Sequence, residues 1–289
     1  MTTINPVVIA EIGCNHKGSM EIAFEMIKLA IQFCNVDMVK FQKRTNKELL
    51  SPEEYNSPHP NPIHSYGETY GLHREFLEFN KDQHKELKRY CEEWGVDYCT
   101  SVWDLNAAKE IAELKPKTIK IPSACNLDFE MLGWLAKNYE GDIIVSLGMT
   151  TRNEENEIVD FFEKQGRIQD IVLCACTSGY PVPFEDICLL EINRLKEQFG
   201  AKVKAIGFSG HHLGIAADIA ALSLGATYFE RHYTLDRTWK GTDHSASVEP
   251  DGMRRLARDI RNVSKALIYK SEEILDIEKV QRKKLKRKI

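Results

Sequence analysis

The chain has 289 residues, 43% hydrophobic and 28% charged, a balance that excludes a disordered or fibrous protein and allows one large α/β domain or two smaller ones. Its formal net charge of −4 gives no overall attraction to nucleic acid. No apolar run reaches the length of a membrane span, and "MTTINPVVIAEIG" has neither the basic start nor the long apolar stretch of a secretion signal, so a cytoplasmic enzyme or binding protein is expected.

Short β-branched runs alternate with segments of helical period along almost the whole chain. The strand candidates are "VVIAEIG", "DMVKFQ", "DYCTSV", "TIKIPS", "DIIVSLG", "DIVLCAC", "VKAIGFSG" and "TYFERHY", with amphipathic stretches such as "MEIAFEMIKLAIQF" and "DQHKELKRYCEEW" between them. That order predicts a parallel sheet with crossover helices, and eight such units can close into a (β/α)8 barrel, the TIM-barrel class of α/β fold. A doubly wound open sheet is the competing reading, but "EIGCNHKGS" after the first strand is a poor imitation of a phosphate-binding glycine loop.

A long insertion, Lys43 to Phe79, follows the second strand; its prolines suit irregular extended structure. Tyr66, Tyr70, His73 and Arg74 within it could cover a ligand or pack on a partner chain. Asn80 and Gln83 then form the start signal of a helix. The barrel is assigned to residues 1–270, and the basic tail 271–289, with "EKVQRKKLKRKI", to solvated helix or a frayed terminus. The eight cysteines read as reduced core thiols; Cys174 and Cys176 share one side of a strand, but no second pair accompanies them.

Polar residues recur at the C-terminal ends of the predicted strands: Glu11, Lys40, Gln42, Ser101, Lys120, Ser123, Ser146, Thr177, Ser209, His211 and His232. In a barrel that rim carries the active site. Lys40 and Lys120 among hydroxyls suit an anion with several oxygens, although a strand-end lysine also suits Schiff-base chemistry. His211 and His232, ending neighbouring strands, form a candidate pair of metal ligands, with Glu230 and Asp243 close to the second; manganese, magnesium, iron or cobalt fits better than a closed structural zinc. His212 is the weaker candidate. The stretch "FERHYTLDRTWKGTDHSASVEP" is read as strand eight and its loop, its polar residues Glu230, Arg231, His232, Asp236, Arg237, Lys240, Asp243 and His244 facing a metal and an anion rather than water.

The ordered segments "IAEIGCNHKGS", "VKFQK", "YGETYGLHRE", "IKIPSA", "VSLGM", "CTSGYPVPFED", "IGFSGHH" and "ERHYTLDRTWKGTDHSASVEPDG" resemble the sialic (nonulosonic) acid synthases. The resemblance implies a homodimeric barrel that condenses phosphoenolpyruvate with an aldose, an N-acetylmannosamine-like hexose or its phosphate, using a divalent metal, manganese first, with magnesium or cobalt as alternatives. It implies phosphoenolpyruvate binding by Lys40, Ser101, Lys120, Ser123, Ser178 and Ser209, acceptor binding by Glu11, Gln42, Tyr180 and Asp243, metal ligation by His211 and His232, and catalytic parts for Glu11, Lys40, Lys120, Glu230 and Asp243. The chain departs from the pattern at Cys125, where relatives often have an acidic residue facing the acceptor, which points to a different sugar. Relatives also commonly carry a C-terminal antifreeze-like domain whose arginine reaches the partner's site; the sequence stops at "RKKLKRKI", and Arg74 is the candidate substitute for that cation. A metal-dependent pyruvate aldolase or sugar isomerase, or a non-catalytic sugar-binding relative, are the alternatives.

Overall fold

The computed structural model describes residues 5–287. The chain runs β1 (Val7–Gly13), α1 (Met20–Gln32), β2 (Met38–Lys43), α2 (Asn46–Leu49), α3 (Pro52–Asn56), α4 (Tyr70–Phe76), α5 (Lys81–Trp94), β3 (Asp97–Val102), α6 (Leu105–Glu113), β4 (Thr118–Ile121), α7 (Phe129–Asn138), β5 (Asp142–Ser146), α8 (Arg152–Lys164), β6 (Ile171–Cys176), α9 (Glu191–Phe199), β7 (Ala205–Gly210), α10 (Ala216–Leu224), β8 (Tyr228–His232), α11 (Pro250–Ala266) and α12 (Asp276–Leu285). All eight predicted strands form, and they close in sequence order into one barrel. Each strand pairs in parallel with its neighbours, β8 closing onto β1.

Side chains alternate between the two faces of a strand, and this period of two divides the barrel's polar and apolar residues. Outward-facing Val8, Ala10, Ile12, Val39 and Phe41 join the large core beneath the helices. Inward-facing Ile9, Met38, Cys99, Ile144, Val172 and Cys174 fill the barrel interior. One step further along the same inward rows stand Glu11, Lys40, Ser101, Ser146 and Cys176. The apolar plug thus forms a floor, and the polar residues sit above it at the C-terminal mouth.

Local signals fix the helix ends. The Asn80 side chain accepts from the Gln83 N–H and Gln83 returns to the Asn80 N–H, the predicted reciprocal cap of α5. Gly95, at φ +73°, closes that helix in the left-handed conformation that glycine adopts without strain.

The insertion differs from the irregular segment expected. It folds into α2, α3, a single 3₁₀ turn at Pro62–His64, and α4. Pro52 opens α3 at a position that needs no N–H, and Ser51 and Glu54 cap it reciprocally, so local chemistry drew a turn of helix from a segment whose prolines suggested none. The insertion bridges to the loop after β8, where Tyr66 donates to the Lys240 carbonyl and the Gly241 N–H donates to His64 Nδ1.

All eight cysteines are free thiols, but they are not uniformly core residues: Cys188 is exposed and Cys14, Cys125 and Cys176 are half-buried. The tail includes α12, which has no buried residue among those described. Among the described residues no helix is long and apolar enough to cross a membrane.

Candidate active site

A cavity of about 470 Å³ opens at the C-terminal mouth of the barrel. Lys40, Ser101, Lys120, Ser123, Ser178 and Ser209 line it together with Glu11, Gln42, Tyr180, His211, Glu230, His232 and Asp243. The residues to which the resemblance gives a part therefore meet at one place, contributed by β1 to β4, β7, β8 and the loops that follow the strands; Thr177 does not line this cavity, its hydroxyl donating instead to the Asp186 carbonyl.

Four buried ionisable groups organise the floor: Glu11, Lys40, Lys120 and Glu230. Glu230 sits between the two lysines, its Oε2 2.8 Å from Lys120 Nζ and its Oε1 3.8 Å from Lys40 Nζ, while Ser209 Oγ donates to Oε1 at 3.0 Å. Burial pushes the Glu230 carboxyl up, but Lys120 and Lys40 overcome it and hold the group well below the usual carboxylate range. Burial likewise opposes charge on Lys120, and Glu230 reverses the effect, raising the ammonium above its ordinary value. Both groups therefore stay ionised.

Lys40 lies 2.5 Å from Glu11 Oε2 and directs a hydrogen bond to Ser101 Oγ at 2.7 Å. Burial pushes the Glu11 carboxyl up to about 8, against the pull of Lys40 and with a further rise from Glu230. A protonated Glu11 leaves two ammonium groups facing one carboxylate, a positive surplus suited to an anion.

Hydroxyls surround that surplus. The Gly148 N–H donates to Ser123 Oγ at 3.1 Å, and a Cβ at Gly148 would stand 2.4 Å from Ser178 Oγ, so only glycine lets the loop after β5 come this close. Ser146 Oγ is buried without a partner and is available to a ligand oxygen.

The imidazoles of His211 and His232 lie 5.4 Å apart, centre to centre, with Tyr180 4.4 Å from the first and 5.6 Å from the second. His211 Nδ1 meets the Thr177 carbonyl at 3.0 Å, which places its proton on Nδ1 and leaves the Nε2 lone pair free. His232 Nδ1 is buried with no hydrogen-bond partner, 3.9 Å from Asp243 Oδ2. Burial lowers His211 to about 3 and lowers His232 too, favouring the neutral form that binds metal. Among the described residues no group of three or more His, Cys, Asp or Glu side chains is arranged to enclose an ion. The pair fits an ion that takes its other ligands from substrate and water, rather than a closed structural centre.

Several expectations need correction. The polar residues after Phe229 do not all face the mouth: only Glu230, His232 and Asp243 of the eight do so. Arg231 points to the opposite side of the strand, as alternation requires, and is buried against Asp218 at 2.5 Å, His212 Nε2 at 2.9 Å and the His212 and Gly214 carbonyls. His244 is bound to Thr234 Oγ1 at 2.7 Å, Arg237 to the Ser245 carbonyl, Asp236 to Thr238, and Lys240 lies over the Tyr66 ring. These contacts build the loop itself. His212 is engaged by Asp218 and Arg231 and is structural, in line with its weaker standing.

Cys125 also turns away from the mouth. Its Sγ lies 3.5 Å from the Val102 carbonyl, and Ala124 lines the cavity instead, so the departure at this position gives no argument for a different sugar.

Further cavity residues, among them Cys14, Arg44, His59 and Trp103, were not among those expected. Arg44 stands two residues after Gln42 and Trp103 two after Ser101, so the strand period carried past each strand end selects both. His59 comes from the irregular part of the insertion, where no period operates.

A closed barrel with lysine, hydroxyl and imidazole groups converging at the C-terminal mouth places the chain among the TIM-barrel proteins, with a mouth suited to an anion. The NeuB family profile matches residues 26–272, and the chain belongs to that family. It is 37% identical to the human N-acetylneuraminate-9-phosphate synthase over 96% of this chain and 76% of that protein. It is 33% identical to the N,N'-diacetyllegionaminic acid synthase of Campylobacter jejuni over 90% of this chain and 77% of that protein. The crystal structure of N-acetylneuraminic acid synthetase from Leptospira borgpetersenii serovar Hardjo-bovis in complex with citrate superposes with a TM-score of 0.81 at 26% identity, covering 98% of this chain and 93% of that one.

Proposed function

We propose that the chain condenses phosphoenolpyruvate with an aldose at this mouth, giving a nonulosonic acid and inorganic phosphate. The synthases it resembles condense phosphoenolpyruvate with a sugar to make nonulosonic acids. The observation that carries the reading to these residues is the pair of buried lysines set around Glu230 beneath a ring of serine hydroxyls.

In this reading Lys40 and Lys120 bind the phosphate of phosphoenolpyruvate, and Ser101, Ser123, Ser178 and Ser209 fix its oxygens. Glu11, Gln42, Tyr180 and Asp243 orient the acceptor so that its aldehyde carbon faces C3 of the enol. A carbon–carbon bond forms there, the aldehyde oxygen takes up a proton, water adds at C2, and the C2–O bond breaks to release phosphate. The lysines serve binding and departure alike, because the charge they neutralise grows on the leaving group. Glu230 lies between the two lysines and keeps the Lys120 ammonium charged.

The family is generally metal-dependent; we assign the ion to His211 and His232, with manganese first and magnesium or cobalt as alternatives. When bound, it supplies Lewis-acid polarisation of the acceptor's aldehyde oxygen. The homodimer and a cytoplasmic location belong to the same proposal.

Schiff-base chemistry is disfavoured at Lys120, because an amine nucleophile needs a lowered pKa and Glu230 pulls this one the other way. A screen of aldoses with phosphoenolpyruvate, following phosphate release and product mass, tests the proposal. Phosphate release that requires an aldose, with a product heavier than that aldose by the pyruvate carbons, supports it. Free pyruvate, or turnover of pyruvate alone with the sugar, rejects it.

A further inference from the structure

The seam where β8 closes onto β1 holds a buried hydrogen-bond chain that the reaction above does not use. β1 ends in an irregularity: its register against β2 shifts between Glu11 and Gly13, and Gly13 takes φ +53°. The turn that follows brings Asn15 back across the seam, where it is 1% exposed although it lies in a loop. Its Nδ2 group donates to the Tyr233 carbonyl at 2.8 Å and to Ser247 Oγ at 2.9 Å. Ser247, itself buried, donates in turn to the Asp243 carbonyl at 2.7 Å. A buried amide is costly unless its hydrogens are bonded, and Asn15 commits both of them to the far end of the chain.

Little else holds Asp243. Among the described residues its carboxylate has one hydrogen-bond donor, the neighbouring Thr242 hydroxyl at 3.1 Å, while His232 Nδ1, 3.9 Å from Oδ2, is beyond hydrogen-bond reach. The direction of the carboxylate therefore follows from its backbone. That backbone is fixed at the carbonyl, which accepts from Ser247 Oγ and from the Ala246 N–H. Its placement is close to the other mouth groups: a Cβ at Gly13 would stand 3.0 Å from Glu11 Oε1 and 3.9 Å from Asp243 Oδ2, so both carboxyl groups crowd this glycine.

We infer that Asn15 and Ser247 are positioning residues of the mouth: the chain from Asn15 to Ser247 to the Asp243 carbonyl braces the loop after β8 against the loop after β1 and holds the Asp243 carboxylate where it meets the acceptor. This rests on the reading under Proposed function, which gives Asp243 its part with the aldose. Neither Asn15 nor Ser247 lines the cavity, so both act through the residue they hold. A reacting group displaced by about 1 Å can lose about 100-fold in rate, which is why a brace remote from the substrate matters.

Two variants break the chain at different links. Ser247→Ala removes the bond to Asp243 and leaves the one between Asn15 and Tyr233; Asn15→Leu keeps the volume and removes both donors. With phosphoenolpyruvate and N-acetylmannosamine, or whichever aldose releases phosphate fastest, each is expected to lower kcat/KM for the aldose about 10- to 100-fold, the scale for losing a group that orients a site residue. The KM for phosphoenolpyruvate should not move. A cycle with Asp243→Ala separates positioning from general support: in that background Ser247→Ala should cost less than about 2-fold, because the residue it serves is gone. The same loss with and without Asp243, unchanged kinetics in both single variants, or failure of both to fold overturns the inference while the synthase reading stands. If no aldose supports phosphate release by the wild-type protein, the synthase reading fails, and hydrogen exchange judges the brace by itself. Amides of residues 241–247 that exchange at least about 10-fold faster in Ser247→Ala, with those of the strands unchanged, support it, and equal exchange overturns it.

Discussion

Lys120→Ala is expected to lower kcat/KM for phosphoenolpyruvate by about 1,000-fold or more, the scale on which removal of one electrostatic stabiliser acts in an active site. Lys120 is 1% exposed and its ammonium meets Glu230 at 2.8 Å. The substitution therefore does two things. It removes a positive charge from the phosphate's binding place, and it leaves Glu230 with Lys40 as its remaining close cation, 3.8 Å away. A half-neutralised carboxylate then repels the phosphate that the lysine used to draw in. The same change should cost stability, about 3–5 kcal/mol for a buried pair that loses one partner. Adding Glu230→Gln separates the two effects, because it removes the stranded charge without restoring the lysine. The double variant should regain much of the urea midpoint and little of the activity. Near-normal steady-state kinetics for Lys120→Ala would mean that the phosphate binds elsewhere.

His232→Ala is expected to abolish tight binding of divalent ions and to lower turnover by about 1,000-fold, since Lewis-acid stabilisation is worth several kcal/mol and each 1.36 kcal/mol is tenfold in rate. The reason lies in the pairing: with Nδ1 of His211 committed to the Thr177 carbonyl, that residue offers a single lone pair, and one imidazole cannot hold an ion alone. Phosphoenolpyruvate affinity should change little, because the lysines and hydroxyls are untouched. Metal content by atomic emission and an assay of chelated protein, with and without added manganese, magnesium or cobalt, check both halves. Full activity after chelation, or undiminished metal content in the variant, would remove the histidines from this role.

The barrel and much of its mouth are legible in the sequence because one physical rule, the alternation of side chains along a strand, acts on every unit of the fold. Glu11, Lys40, Ser101 and Glu230 each follow an inward apolar residue, Ile9, Met38, Cys99 and Tyr228, at a spacing of two, Gln42 and His232 extend two of these rows by one more step, and each stands where that spacing puts it. Arg231 illustrates the error of setting the rule aside: sequence proximity groups it with its neighbours at the mouth, yet its odd position sends it outward to Asp218. Cys125 misleads for a similar reason, since beyond a strand end the backbone turns and the period no longer tells which side chain faces the ligand. The insertion is the least legible part. Its helices are a few residues long and depend on caps and on tertiary contact, such as Gly71 packed flat against the Tyr55 ring, which no periodicity reports. His59 enters the cavity by that route, and only the folded chain reveals it.

In the proposed reaction phosphoenolpyruvate acts as a carbon nucleophile and loses its phosphate by breaking the bond between carbon and oxygen. Phosphoenolpyruvate carrying a heavy oxygen isotope in its enol-ester bridge tests this directly when it is turned over with an aldose in ordinary water. The label should leave entirely with inorganic phosphate, one phosphate for each sugar acid formed. Label retained in the carbon product, or released in free pyruvate, would contradict it.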